Sequence, residues 1–336
     1  MILVTGGTGL VGSHLIYKLT EKGHRVRAVY RTKEKINTVK HVFSYYTKDV
    51  DVLFSKIEWI EANINNIPSL TNAFTEITKV YHCAAFISFD TRDYHTLRKI
   101  NIEGTANIVN LCLSNNIEKL CYVSSIATIG KTENGTLINE DTHWNPEEDH
   151  NVYAITKYGA EMEVWRGTQE GLNAIIVNPG VIIGPGYWKS GSGSLIRFVH
   201  KGLSYYTNGV VGYVAVKDVV LAMIELMNSD IQNKRYILVS KNLSYKDFFT
   251  KVAIQLHVKP PKKEASNLAL NIVWKLDWLQ SYLKHKRRRI TKHTAKTITN
   301  ISHFSNKKVV TYLNYTFIPI DVSIAETCQL FLEDLG

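Results

Sequence analysis

The chain has few cysteines and no long uninterrupted hydrophobic run. Its four cysteines among 336 residues show no C-x-x-C and no paired spacing, which argues against a disulfide framework and against a zinc site. The apolar stretch 209–228 is interrupted by Lys217 and Asp218, so no integral membrane segment is expected. The first residues enter an apolar strand directly, without the pattern of a cleavable leader. We therefore expect a reduced, cytoplasmic compartment.

The net charge of +10 is unevenly distributed, because residues 257–336 hold 13 Lys and Arg against 6 Asp and Glu. The excess peaks in KHKRRR, residues 284–289, which we interpret as a solvated helix end, with an acidic partner or membrane surface as the alternative. Aromatic residues do not interleave with these cations, so no nucleic-acid partner is expected. Residues 268–283 are apolar at helical spacing, and we expect them to pack against the protein body rather than lie on a membrane.

Short apolar runs alternate with helical patterns through the first half of the chain. Strands are expected at residues 2–4, 25–30, 59–61, 79–84, 119–123 and 173–177, and helices begin near residues 12, 33, 69, 94 and 152. A strand–helix–strand rhythm repeated this often predicts an α/β fold with a doubly wound parallel sheet. A Gly/Ser/Trp-rich loop, GPGYWKSGSGS, follows at residues 184–194.

A glycine-rich turn lies between the first strand and the first helix. Its glycines, at three-residue spacing, allow a tight turn, a close approach of the backbone to a pyrophosphate, and close helix packing. The phosphates would lie at the helix N-terminus, where backbone N–H groups and the helix dipole favour an anion. The sequence therefore predicts dinucleotide binding by Gly6, Thr8, Gly9, Leu10, Val11 and Gly12.

The end of the second strand bears on the choice of cofactor. A carboxylate there would bind the adenosine ribose of NAD, but the residue that follows Tyr30 is Arg31. Arg31, with Lys33 or Lys35 behind it, is suited to the 2′-phosphate of NADP. We expect NADP(H) to be preferred, with NAD(H) as the alternative cofactor.

Tyr153 and Lys157 are the expected catalytic pair. The chain contains three Tyr-x-x-x-Lys matches, but only this one follows a serine pair and a glycine loop. On a helix the two side chains lie one turn apart, so the ammonium is expected to lower the pKa of the phenol and make it a usable acid or base. The matches at Tyr213 and Tyr282 are interpreted as structural.

These segments together resemble the extended short-chain dehydrogenase/reductase family, within it the dihydroflavonol-reductase-like and 3β-hydroxysteroid-dehydrogenase-like group. The resemblance covers most of the chain and rests on TGGTGLVG, VYHCAA, NIEGTANIV, YVSSIATIG, YAITK, NPGVIIGPG and VAVKDV. It implies a Rossmann fold and a Ser-Tyr-Lys triad of Ser125, Tyr153 and Lys157. Ser124 is the less favoured alternative to Ser125, and Asn101 is implied to support the triad.

The same resemblance implies further cofactor contacts. Ala84 and Ala85 would pass under the cofactor, Lys157 would hold the nicotinamide ribose, and Pro179, Gly180 and Val181 would line the nicotinamide. The stretch that holds the adenine contains Asn63 and Ile64, where the family usually has an aspartate. The asparagine retains hydrogen-bonding capacity, so this departure bears on affinity rather than on function.

The resulting expectation is an NADP(H)-dependent oxidoreductase, of the general class EC 1.1.1.-, that interconverts a carbonyl and an alcohol on a small or medium, largely apolar substrate. The alternatives are a nucleotide-sugar epimerase and a non-catalytic redox sensor. Residues 1–178 would bind NAD(P), and 179–336 would form a smaller substrate-binding region of which about 209–240 returns to the sheet. The substrate walls are expected to be Phe86, Phe89, Tyr187 and Trp188, with core packing as the alternative for the two phenylalanines.

Two further expectations concern partners and metals. Besides the small-molecule substrate, a second copy of the chain in a homodimer is a candidate partner. No metal site is expected, because the 12 histidines lack ligand spacing, and His82 is interpreted as a histidine of the core.

Overall fold

The computed structural model describes residues 1–132, 136–284 and 292–336, and leaves the side chains of residues 267–269, 279–284, 292 and 293 undescribed. The strands of these residues are β1 (Ile2–Thr5), β2 (Val26–Tyr30), β3 (Ile57–Glu61), β4 (Lys79–His82), β5 (Lys119–Val123), β6 (Ala174–Pro179), β7 (Val181–Ile183), β8 (Tyr205–Tyr206), β9 (Val210–Ala215), β10 (Lys234–Leu238), β11 (Lys241–Ser244) and β12 (Lys263–Glu264).

The helices are α1 (Leu10–Glu21), α2 (Lys35–Ser44), α3 (Val50–Phe54), α4 (Ile67–Ala73), α5 (Tyr94–Leu97), α6 (Gly104–Ser114), α7 (Val152–Gln169), α8 (Gly193–His200), α9 (Val216–Asn228), α10 (Tyr245–Gln255), α11 (Asn267–Lys284), α12 (Lys292–Thr297), α13 (Lys307–Leu313) and α14 (Ile320–Glu333). A π-helical segment, Arg98–Glu103, joins α5 to α6.

The central sheet has seven strands in the order β10-β6-β5-β4-β1-β2-β3, and every pair of neighbours is parallel. The predicted doubly wound α/β fold is therefore confirmed. The strand order reverses between β1 and β4, so the crevice outside their carboxyl ends is where such a sheet binds its ligand.

The central strands are buried on both faces. In β1, Val4 packs into one apolar cluster, which includes Leu15 of α1 and Val219 of α9. Its neighbour Leu3 packs into a second cluster, with Ile108 of α6, on the opposite face. Successive strand residues point to opposite faces, so continuous apolar runs in the sequence correspond to a sheet covered by helices on both sides.

A second sheet begins with β7, which only Gly180 separates from β6. It has the order β11-β9-β7, with β7 parallel and β11 antiparallel to β9. The segment of about 209–240 was expected to return to the central sheet. Its strand β10 does so by pairing with β6, whereas its strand β9 belongs to this second sheet. A third apolar cluster unites the second sheet with α10 and α14.

Helix α11 packs through part of its surface. Leu270 is buried, whereas Ile272, Val273, Leu276 and Trp278 are exposed. Among the described residues, no helix combines the length and the apolar character that crossing a membrane requires. Residues 285–289 of the basic run, and with them the third Tyr-x-x-x-Lys match, lie outside the described residues.

Candidate active site

The glycine turn is packed against the end of β4. A Cβ atom at Gly6, whose φ is +67°, would lie 2.5 Å from the backbone nitrogen of Ala84, and one at Gly12 would lie 2.2 Å from the Gly6 carbonyl oxygen. Gly9 caps α1 without a side-chain hydrogen bond, and the first turn of the helix contains no acidic residue. The first backbone N–H groups of α1 are therefore not capped by a side chain, an arrangement that suits an anion.

Three predicted cofactor residues lie at the same edge of the sheet, because their strands are neighbours. Arg31 directly follows β2, and Asn63 and Ile64 follow β3. Arg31 and Asn63 are exposed, whereas Ile64 is buried. The Asn63 side chain accepts a hydrogen bond from the backbone N–H of Asn65 at 3.1 Å, which fixes the turn after β3.

Helix α7 carries the predicted catalytic pair. Asn151 caps its N-terminus by accepting a hydrogen bond from the Ala154 N–H at 2.8 Å, and the helix continues for 18 residues. Tyr153 and Lys157 therefore project from one helix, one turn apart. Ser125 comes from the opposite side, where β5 ends and a short 3₁₀ turn, Ile126–Thr128, begins.

Tyr153 contacts two of the predicted site residues. The Ser125 side chain lies near its phenol, and the ring of Phe89 packs edge-to-face on it with centroids 5.6 Å apart. Burial raises the pKa of Tyr153 to about 12, and the nearby Ser125 side chain opposes this rise. The phenol is therefore protonated at neutral pH.

Lys157 is buried and hydrogen-bonded to β5. Its Nζ donates to the Tyr122 hydroxyl at 2.5 Å and to the Val123 carbonyl oxygen at 2.8 Å. Burial lowers the pKa of Lys157 to about 7. The predicted lowering of the Tyr153 pKa is wrong for this structure, because burial of the phenol dominates and the ammonium is held by Tyr122 and Val123.

A buried histidine lies behind Lys157. His82 Nδ1 is 2.6 Å from Thr5 Oγ1 and its Nε2 is 3.0 Å from Thr105 Oγ1, while its ring stacks on Tyr122. Burial lowers the His82 pKa to about 3, so the ring is neutral. Both ring nitrogens have partners, as expected for a histidine of the core.

Asn101 lies in the π-helical segment and links two parts of the site. Its Oδ1 accepts from the Phe86 N–H at 2.8 Å, and its Nδ2 donates to the Phe86 carbonyl at 3.0 Å and to Thr156 Oγ1 at 3.2 Å. The residue therefore fixes the segment after β4 against helix α7. Isolated π-helical turns occur frequently at functional sites.

Two predicted substrate residues have other partners. Tyr187 donates to the Thr8 carbonyl at 3.0 Å and so packs against the glycine turn. The Trp188 indole donates to Asp334 at 2.6 Å and packs on Phe331 of α14. The Trp188 ring is partly buried and packs against the third apolar cluster, and its role as a substrate wall stays a prediction.

The residues expected under the nicotinamide stand at the junction of the two sheets. Pro179 ends β6 and Val181 begins β7, and the Gly180 N–H donates to the Leu238 carbonyl at 3.0 Å. A Cβ at Gly180 would lie 2.3 Å from the Gly212 carbonyl oxygen. Ala84 and Ala85 follow β4, which borders the β1–β4 crevice on the same side as β6.

The second Tyr-x-x-x-Lys match is structural. Tyr213 lies in β9, fully buried and stacked on Phe248, whereas Lys217 lies in α9 and forms an ion pair with Glu326 at 2.7 Å. Because the strand ends at Ala215, the two side chains are not on one helix face.

A cavity of about 170 Å³ adjoins the Ser125 and Tyr153 segments. Residues that flank the catalytic side chains line one side: Ile126 and Ala127 follow Ser125, and Asn151 and Ala154 flank Tyr153. The other walls are distant in sequence and include Ile138, Val211, Tyr245, Lys296, Asn300, Ser302 and Phe304. Sequence patterns did not identify these residues, since they adjoin the site only through the fold.

Comparisons with known proteins agree with this geometry. The model of the NAD dependent epimerase/dehydratase family matches residues 2–238. A putative dihydroflavonol 4-reductase of Synechocystis sp. is 29% identical over 278 residues, covering 81% of this chain and 77% of the relative. Tetraketide alpha-pyrone reductase 2 of Arabidopsis thaliana is 28% identical over 252 residues, covering 71% of this chain and 77% of the relative.

Solved structures share the fold over almost the whole chain. The crystal structure of gox2253 has a TM-score of 0.82 and 27% identity, and the match covers 99% of this chain and 98% of that one. The UDP-glucose 4-epimerase of Thermotoga maritima is similar in fold, with a TM-score of 0.77 and 20% identity. The match covers 100% of this chain and 99% of that one.

Proposed function

Because the chain belongs to the NAD dependent epimerase/dehydratase family, we propose that it is an NADP(H)-dependent reductase of a small or medium, largely apolar carbonyl compound. The observation that carries this proposal is the attachment of helix α7 to the end of β5, where Lys157 Nζ donates to the Val123 carbonyl oxygen and Tyr153 lies near Ser125. A phenol held in its protonated form beside a second hydroxyl is equipped to polarise a carbonyl oxygen and give it a proton.

Each residue of the triad has a distinct role in this proposal. Ser125 donates a hydrogen bond to the substrate oxygen, and Tyr153 transfers its proton to that oxygen as negative charge develops there. Two of the three Lys157 N–H donors are used by Tyr122 and Val123, so one remains for a ribose hydroxyl. The ammonium adds positive charge beside the reacting groups.

The glycine turn fits a dinucleotide, because the backbone at Gly6 and Gly12 leaves no room for a side chain and the N-terminus of α1 is not capped by one. A nicotinamide cofactor supplies the hydride when bound. The residues that would hold it are the glycine turn with Thr8, Leu10 and Val11, the β4 end with Ala84 and Ala85, the β3 end with Asn63 and Ile64, and Pro179–Val181 near the nicotinamide.

A preference for NADP(H) over NAD(H) is proposed from the end of β2. The first residue after that strand is Arg31, and Lys35 begins helix α2 shortly after it. A guanidinium at this position pairs with the 2′-phosphate that distinguishes NADP. The exposure of Arg31 leaves its guanidinium accessible to such a phosphate.

The substrate would occupy the cavity beside Ser125 and Tyr153. Its volume of about 170 Å³ exceeds the roughly 150 Å³ of an apolar cavity that accepts benzene. Several walls are apolar, although Lys131, Asp149 and Lys296 also line the cavity. Phe89 packs on the Tyr153 ring. A ring-sized apolar group attached to the carbonyl would fit, so benzaldehyde is a suitable probe.

Oxidation of NADPH by benzaldehyde tests the proposal. Tyr153→Phe should lower kcat by roughly 10² to 10⁴ and leave NADPH affinity nearly unchanged, since only the proton donor is removed. Tyr213→Phe is the matched control and should retain full activity. Turnover by Tyr153→Phe within a few-fold of the wild-type value would contradict the assignment.

Binding of UDP-glucose tests the epimerase alternative. A UDP-sugar carries two negative charges that need cationic partners when buried, and the nearby candidates are Lys189 of the loop and Arg197 of helix α8. Lys189 is exposed and Arg197 is half-buried. Micromolar binding of UDP-glucose to the NADP-loaded enzyme, without reduction of carbonyl probes, would replace the reductase proposal by the epimerase.

A further inference from the structure

Glu161 is a fully buried carboxylate on helix α7, one turn beyond Lys157. Its Oε2 accepts from Ser124 Oγ at 2.6 Å, from Thr128 Oγ1 at 2.7 Å and from Asn178 Nδ2 at 3.0 Å. These donors come from the end of β5, the turn after it and β6. One oxygen atom therefore joins the three segments that surround Ser125.

The other oxygen of Glu161 is also engaged. Oε1 accepts from Arg235 Nη1 of β10 at 3.2 Å and from the Trp165 indole at 3.4 Å. Arg235 in turn donates to the Glu140 carbonyl oxygen at 2.8 Å. A buried charge persists only where it is paired and hydrogen-bonded, and these contacts meet both requirements.

Two of the residues on Glu161 also hold the backbone of Ser125. The Thr128 backbone N–H and Asn178 Nδ2 both donate to the Ser125 carbonyl oxygen, each at 3.1 Å. By accepting the Thr128 hydroxyl proton and an Asn178 N–H, Glu161 thus holds the two residues that fix Ser125. Loss of the carboxylate would release Thr128 and Asn178, and with them the position of the serine hydroxyl relative to Tyr153.

Glu161 also acts on Lys157 through its charge. Burial lowers the Lys157 pKa, and the negative charge of Glu161 opposes that fall. The other ionisable groups around Lys157 are Tyr122 of β5, His82 of β4 and Cys83 after it. His82 is neutral, and burial raises the pKa of Tyr122, Cys83 and also Tyr153, one turn before Lys157, so none of these groups supplies a negative charge at neutral pH.

We propose that Glu161 is a positioning residue of the reaction, which fixes Ser125 through Thr128 and Asn178 and places its carboxylate one helical turn from Lys157. The inference rests on the function proposed above for Ser125, Tyr153 and Lys157. This role goes beyond stabilising the fold, because the buried Glu161 carboxylate connects the Ser125 hydroxyl with the Lys157 ammonium.

Two measurements test this role. The first is the titration of Lys157 by NMR of protein labelled with ¹³C at the lysine ε-carbons, with Lys157→Met to assign the signal. The second is the pH profile of kcat and KM for benzaldehyde with NADPH. In Glu161→Gln, we expect the Lys157 titration to move down by about one pH unit, since a neighbouring opposite charge has been removed. The alkaline limb of the kcat profile should move with it.

At pH 7 the same variant should lose roughly tenfold or more in kcat with little change in KM, because the change affects positioning in the transition state. Glu161→Asp keeps the charge but shortens the side chain. It should titrate like the wild type and still lose kcat. Glu163→Gln is the matched control, since Glu163 lies on the same helix in a half-buried pair with Arg166 and should affect neither measurement.

A Lys157 titration in Glu161→Gln that matches the wild type would overturn the proposal, and so would a kcat within about threefold of it. If Glu161→Gln does not fold, unchanged kcat in Glu161→Asp would overturn it equally. Absence of carbonyl reduction by the wild-type enzyme would instead contradict the proposed function, and the NMR titration would still decide the influence of Glu161 on Lys157.

Discussion

Replacement of Gly12 by alanine tests the close packing of the glycine turn. The new Cβ would lie 2.2 Å from the Gly6 carbonyl oxygen, so the loop or the helix must move by about 1 Å to restore normal contact. Overpacking of this kind costs about 1 to 3 kcal/mol. A contact of 2.2 Å belongs at the upper end of this range, and alanine recovers about 1 kcal/mol of helix propensity, so the free energy of unfolding should fall by about 2 kcal/mol.

Gly9→Ala separates packing from cofactor binding. Gly9 has a φ of −104°, and a Cβ there would lie 3.4 Å from the Gly6 carbonyl oxygen, an ordinary contact. We therefore expect its stability to stay within about 0.5 kcal/mol of the wild type. Its NADPH affinity should still fall, since the methyl group would occupy the space through which the backbone approaches a pyrophosphate.

Urea unfolding followed by tryptophan fluorescence measures the stabilities, and titration of NADPH fluorescence measures the affinities. Gly12→Ala with wild-type stability would show that the loop adapts and that the packing argument fails. Wild-type NADPH affinity in Gly9→Ala would show that the phosphates do not approach this turn.

Three further predictions concern single side chains. Arg31→Ala should weaken NADPH binding roughly 10-fold to 100-fold and scarcely change NADH binding. Arg25→Ala, at the other end of β2, is the control and should change neither affinity. Equal losses of NADPH and NADH affinity in Arg31→Ala would contradict a contact with the 2′-phosphate. Tyr213→Phe should keep or slightly raise the free energy of unfolding, because the Tyr213 hydroxyl is buried without a hydrogen-bond partner; a loss above about 1 kcal/mol in urea unfolding would refute this. Burial lowers the Lys157 pKa from 10.5 to about 7, so between these pH values the unfolded chain binds more protons than the folded one. The free energy of unfolding should therefore rise with pH across that window, by at most about 1.4 kcal/mol per pH unit. Lys157→Met should remove this contribution, and an identical pH slope in the variant would contradict it.

The fold was largely predictable because its determinants are local. The apolar runs at β1, β4 and β5 and the glycine turn before α1 are contiguous patterns, and each corresponds to the expected element. The strand boundaries shifted by a few residues: β6 runs to Pro179 rather than to Val177, since its pairing with β10 continues to Leu238.

The site was predictable only in part, because several of its properties arise from distant contacts. Trp188 meets Asp334, 146 residues away, and no spacing rule signals that partner. The pKa of Tyr153 depends on burial, which the four-residue spacing to Lys157 does not reveal. Glu161 could have been found, since it repeats that spacing beyond Lys157, but its donors come from three other segments of the chain.

The return of β10 to the central sheet has a consequence for how the chain can be divided. Strand β6 gains one of its two hydrogen-bonded neighbours only from a strand that begins at Lys234. A fragment cut after residue 178 would lack this neighbour and also helix α9, which covers α1 and the inner strands. Its last strand would expose an open, apolar edge, a template for intermolecular pairing. Such a fragment should aggregate during synthesis, and completion of the nucleotide-binding sheet must wait until the ribosome has released residues near 238.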